Sequence, residues 1–110
     1  MNRKQMKEVE KISKAMKNYN RVSDVLQDNR DKLGDFIFIV SPDCDYKVLG
    51  KIPPVLCSTA FDDKEKELKV IAGFIFALAA DGGVNSGVLM EKISQHLIHI
   101  EKNQNIRMEI

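Results

Sequence analysis

Lys32-Leu33-Gly34-Asp35-Phe36-Ile37-Phe38-Ile39-Val40-Ser41-Pro42 is the stretch that decides the fold class. A cation in a last helical turn suits the carbonyl end of the helix, and a glycine just beyond it tolerates a left-handed cap. Five apolar residues of aromatic and β-branched type follow at once, closed by Ser41-Pro42. Such a run reads as a strand buried on both faces. A helix therefore hands over to a strand here, and the chain is expected to be α+β.

Upstream, residues from about Asn2 to Lys32 carry a helical pattern. Met6, Val9, Ile12, Met16 and Tyr19 fall on one side, continued by Val22, Val25, Leu26 and Leu33. The apolar centre drifts around the helix as a near-heptad spacing does when a helix coils along a partner. Asn18, Tyr19 and Asn20 are poor helix formers, so a break with a second piece starting at Ser23 or Asp24 is the alternative. Arg3, Lys4, Lys7, Lys11, Lys14, Lys17 and Arg21 fall on the opposite side, and residues 1–22 set only Glu8 and Glu10 against them, a balance of +5 in a chain of net charge +1. The rest of the chain must therefore be acidic.

Downstream, Asp43, Cys44 and Asp45 are turn residues. Tyr46 to Leu49, closed by Gly50, reads as the returning strand of a hairpin over about 36–49. Pro53-Pro54 interrupts the chain, and Val55 to Ala60 is a third short strand or an extended link. Asp62 and Glu65 have capping-box spacing. The helix expected over 63–80 begins charged and ends apolar all round. Leu68, Ile71, Ala72, Ile75 and Ala79 form its wide stripe, and Gly73, Ala77 and Ala80 a strip of small residues nearly opposite. Covering both sides calls for the first helix or a second subunit. Asp81 to Gly87 is a loop, with Asn85 as N-cap of the last helix and Val84 stapling onto Leu89. Leu89, Met90, Ile93, Leu97 and Ile100 form that helix's core side, with Ile98 pointing away. Ile106, Met108 and Ile110 alternate with Arg107 and Glu109 at strand period, fitting a terminal strand that completes the sheet or adds to a neighbour's edge. The expected organisation is one domain over 1–110: an amphipathic helix (1–33), a hairpin region (35–60), a helix pair (62–104) and a terminal strand (105–110).

A length of 110 residues suits one domain with a single core. Hydrophobic residues at 44% and charged residues at 30% are ordinary globular values and argue against disorder. The longest apolar run, Val70 to Ala80, is well short of the roughly 20 residues that span a bilayer. The basic N-terminus has no apolar segment behind it, so no secretory signal is expected, and two cysteines then point to a reducing cytoplasm.

Three candidate sites arise. Lys4, Lys7, Lys11, Lys14 and Arg21 present a face that suits phosphates of nucleic acid or anionic lipid. Lysine predominates and no aromatic residue is interleaved, which disfavours base reading; the plain alternative is a solvated face. Gly82, Gly83, Asn85 and Ser86 precede a helix N-terminus and suit a small anion such as a nucleotide, although Asp81 repels one and a simple helix-to-helix turn serves as well. His96 and His99 are one helical turn apart, but a closed zinc site needs four ligands, and nothing brings Cys44 and Cys57 to them. Acidic neighbours disfavour a Cys44 thiolate, and Cys57 reads as small core filler. No nucleophile or acid–base constellation stands out, so neither catalysis, metal nor cofactor is expected. The leading expectation is a non-enzymatic cytoplasmic interaction or regulatory protein. It acts as a homo-oligomer, most simply a dimer, with Gly73, Phe74, Ala77, Ile98 and Ile110 at the self-contact. An unidentified protein partner, a small anionic ligand and nonspecific nucleic-acid binding are the alternatives.

Overall fold

The first helix, α1 (Arg3–Asp28), opens with a reciprocal cap. The Asn2 side chain accepts the Gln5 N–H at 2.8 Å, and Gln5 Oε1 accepts the Asn2 N–H at 3.0 Å. Two donors that no helical carbonyl can reach are thereby satisfied. The helix does not break at Asn18-Tyr19-Asn20. The Tyr19 ring stacks on Phe38 with centroids 4.8 Å apart, and its hydroxyl donates to Ser58 Oγ at 2.7 Å. Contacts of this kind outweigh the roughly 0.5 kcal/mol per residue by which Asn and Tyr trail better helix formers. The break falls at Asn29, and one more turn, α2 (Arg30–Leu33), ends at Gly34 with φ 100°. A side chain at that φ would be strained, so glycine makes the stop the sequence predicts.

The computed structural model describes residues 1–50 and 52–104. The chain divides into two compact units, Met1–Asp62 and Asp63–Ile110. The first pairs α1 and α2 with a two-stranded antiparallel sheet, β1 (Phe36–Val40) and β2 (Leu56–Ala60), in which Phe36 faces Ala60 and Val40 faces Leu56. The hairpin expected over 36–49 is thus corrected. Tyr46–Val48 is a single 3-10 turn, and the returning strand is the later segment. The reason is local: Glu8 accepts the Asp45 N–H at 2.8 Å, and Gln5 donates to the Val48 carbonyl at 3.1 Å. The loop's backbone groups therefore bond to α1 rather than to β1, and pairing resumes only after Pro53-Pro54, whose nitrogens carry no hydrogen.

Strand alternation places Phe36, Phe38, Val40, Leu56, Ser58 and Ala60 on the side that meets Tyr19 of α1, where Ala60 is buried. Ile39, Cys57 and Thr59 on the other side are exposed. The run Phe36–Val40 is consequently not buried on both faces, and Cys57 is not core filler. The docked stripe of α1 also differs from expectation. It runs through Gln5, Glu8, Val9, Ile12, Ala15, Tyr19, Ser23 and Leu26, leaving Met6 and Met16 exposed. The polar Gln5 and Glu8 are drawn inward by their bonds to the loop, which rotates the stripe away from the two methionines.

The second unit consists of α3 (Lys64–Asp81) and α4 (Ser86–Gln104). The α3 cap is Asp63, whose side chain accepts the Glu65 N–H at 3.0 Å. Asp62, the expected cap, instead lies 3.4 Å from Arg30, which also holds Asp35 at 3.0 Å. Among the described residues of this unit, Ala79 is the only buried apolar one. The predicted core side of α4 is largely uncovered: Leu89 is half-buried, whereas Met90, Ile93, Leu97 and Ile100 are exposed. The expected terminal strand over 105–110 lies outside the described residues. Among those described, no helix is long and apolar enough to cross a membrane.

Candidate functional site

Most of the exposed apolar surface lies on the helix pair. Leu68, Ile71, Ala72, Ile75 and Phe76 of α3, with Ser86 and Met90 of α4, line an open groove of about 370 Å³. Helical spacing sets Gly73, Ala77 and Ala80 on the other side of α3, flanked by Val70 and Phe74. Phe74 is 60% exposed, Phe76 59% and Ile98 of α4 53%. A Cβ placed on Gly73 meets no atom within 4 Å. Glycine in a helix interior is disfavoured by about 1 kcal/mol relative to alanine, and no packing in the described chain requires it there. Four of the five predicted self-contact residues (Gly73, Phe74, Ala77 and Ile98) are therefore accessible; Ile110 falls outside the described residues.

The glycine-rich loop is built as a helix stop. Gly82 N–H donates to the Leu78 carbonyl at 3.0 Å, Gly83 to Ala80 at 3.2 Å and Val84 to Ala79 at 2.9 Å. Gly83, at φ 67°, supplies the left-handed residue that this closure needs. Asn85 is the N-cap, accepting the Gly87 N–H at 2.7 Å through its side chain and the Leu89 N–H at 3.1 Å through its carbonyl. A Cβ on Gly87 would stand 2.9 Å from that Asn85 oxygen. Four backbone donors of Gly82, Gly83, Val84 and Gly87 are thus committed to capping. An anion held by Gly82, Gly83, Asn85 and Ser86 would have to displace them.

The basic side of α1 is open. Arg3, Lys4, Lys7, Lys14, Lys17 and Arg21 are exposed, and among the described residues none of them lies in an ion pair; Lys11 alone does, with Glu8 at 3.1 Å. Glu8 is the residue that sequence reasoning missed. It is buried, and the Asp45 N–H followed by the Lys11 ammonium holds its carboxyl below the ordinary glutamate value. Lys11 is correspondingly raised by its bond to Glu8. The available signal was positional: Glu8 shares a helical face with Ile12, Ala15 and Tyr19. A second polar cluster, in which the Ser58 hydroxyl meets Tyr19 at 2.7 Å and Ser23 at 3.1 Å, joins α1 to β2.

The cysteines are free, Cys44 half-buried and Cys57 exposed. His99 contacts the Asn103 side chain at 3.1 Å. Among the described residues, no three metal-binding side chains gather. Comparison of the chain with protein families, curated proteins and solved structures finds no match.

Proposed function

We propose that the chain is a small non-enzymatic interaction protein, regulatory or inhibitory in kind, that works as a homodimer joined through α3 and α4. One observation carries the reading. Thirteen large apolar side chains between Leu68 and Ile100 are 36–60% exposed. At roughly 80 Å² apiece they present on the order of 1,000 Å² of apolar surface, and a stable interface buries about 800 Å² per partner. The largest apolar patch on a typical monomer is about 300–600 Å².

A second copy suits the surface better than an unrelated partner. The segment Val70 to Ala80 contains no charged residue, so a two-fold contact brings no like charges together. The strip of Gly73, Ala77 and Ala80 lets two backbones approach closely, with Phe74 packing beside it. The groove between α3 and α4 offers a seat for side chains of the neighbouring copy. A reducing cytoplasm is part of the proposal and suits two free thiols.

Light scattering at micromolar concentration tests the reading. The expected mass is twice the 12.5 kDa of one chain. A monomer across the whole range sinks it.

A further inference from the structure

The charge on α1 runs against the helix that carries it. Peptide dipoles leave partial positive charge at a helix N-terminus and partial negative charge at its C-terminus, so acids favour the first turn and bases the last. In α1 the first turn has no acid and the last has no base. Arg3, Lys4 and Lys7 stand at the positive end, and Asp24 and Asp28 near the negative one. Lys4, Lys7, Lys11, Lys14, Lys17 and Arg21 follow one another at three or four residues, the spacing at which like charges repel along a helix. Only Lys11 of this series is neutralised within the described chain. Helix formation does not account for the stripe, and neither does packing, because α1 docks through its other side.

We propose that this stripe binds the phosphodiester backbone of a nucleic-acid duplex without regard to sequence. From Lys4 to Arg21 it extends about 26 Å at 1.5 Å per residue, with one cation per turn of about 5 Å. Its line is fixed, because the opposite face is anchored by the Tyr19–Phe38 stack and by Glu8 and Gln5. A rigid row of point charges suits the fixed phosphates of a duplex. Single-strand binding instead rests on stacking platforms, and Tyr19, the sole aromatic residue of α1, is turned to Phe38 and Ser58. A membrane-surface helix buries its apolar face in lipid, whereas the docked face of α1 is occupied by its own sheet. The inference does not depend on self-association.

The test is fluorescence anisotropy of the full chain with a short labelled duplex of mixed sequence, from about 50 to 200 mM salt. Each phosphate neutralised contributes about −0.9 to the slope of log affinity against log salt, so the five free cations of the series give a slope of about −4.5. Lys7→Glu with Lys14→Glu is expected to weaken binding at least about tenfold and to flatten the slope by about 2. Lys92→Glu with Lys102→Glu, on α4, changes net charge equally and is expected to leave affinity within about twofold. Circular dichroism melts confirm that both variants fold. Absence of duplex binding at the lowest salt overturns the proposal. So does equal weakening by the two double variants, or tighter binding to a single strand or to phosphatidylserine vesicles than to the duplex.

Discussion

Phe74→Ala separates an assembled protein from a solitary one. In a protomer that stays alone, the change trims an exposed ring and installs a better helix former, shifting stability by about 0.5 kcal/mol or less. In a dimer that covers α3 the sum is different. Phe74 is 60% exposed, which for a side chain of about 200 Å² leaves about 120 Å² to be buried by association. At about 25 cal/mol per Å² that is about 3 kcal/mol per copy, and a two-fold interface contains two copies. The alanine methyl and local relaxation recover part of it, so half the total, about 3 kcal/mol, is the working figure. Dimer dissociation should therefore become more than a hundredfold easier, at about 1.4 kcal/mol per factor of ten. Sedimentation across a dilution series reads the constant directly. Thermal melts supply a second readout, since the wild-type midpoint rises with protein concentration and the variant's does not. Equal dissociation constants for the two proteins would refute the reasoning.

Gly73→Ala should act with opposite signs at two levels. It stabilises the dilute protomer by up to about 1 kcal/mol through helix propensity, while the added methyl holds two α3 backbones apart and weakens the dimer; a rise in both, read by urea melts and sedimentation, contradicts the close approach. Gly83→Ala forces alanine into φ 67° and should lower stability by about 1–2 kcal/mol in a thermal melt, and no loss would mean that the turn can rearrange. Glu8→Gln tests the buried carboxylate by pH. A carboxyl held below its ordinary value adds stability above that value and loses it as pH falls through its folded-state pKa. The wild type should therefore exceed the variant near neutrality and converge with it in acid, and identical melts at neutral pH would show that the Asp45 and Lys11 bonds contribute nothing.

Local chemistry made the helices legible. Asn85 as a cap, Gly34 as a stop and the hydrophobic period from about Asn2 to Lys32 each bring a requirement that neighbouring residues meet. The returning strand was misplaced because its position depends on distant partners. Tyr46–Leu49 is as strand-like by composition as Leu56–Ala60, and the choice is made by Gln5 and Glu8, which lie about forty residues away and claim the loop's backbone groups. The α1 stripe was rotated for the same reason, since a glutamate scores as surface until its acceptor role is known. Of the candidate surfaces, the apolar excess of α3 and the cation stripe were readable, because both are periodic. The glycine loop was readable as a helix-to-helix turn, but which donors that turn consumes was not, because it depends on the φ values.

The hydrogen-bond partners that hold α1 sit far along the chain: Val48, Asp45 and Ser58 are 43, 37 and 39 residues beyond their partners Gln5, Glu8 and Tyr19. During synthesis, α1 therefore leaves the ribosome well before most of what it lies against has been made. Contacts that close so late slow folding and prolong the exposure of unsatisfied apolar side chains. A newborn chain halted short of Asp45 would carry a finished helix with only the Phe38 ring to lie against, and the interval before the loop and β2 emerge is when this protein most needs a chaperone.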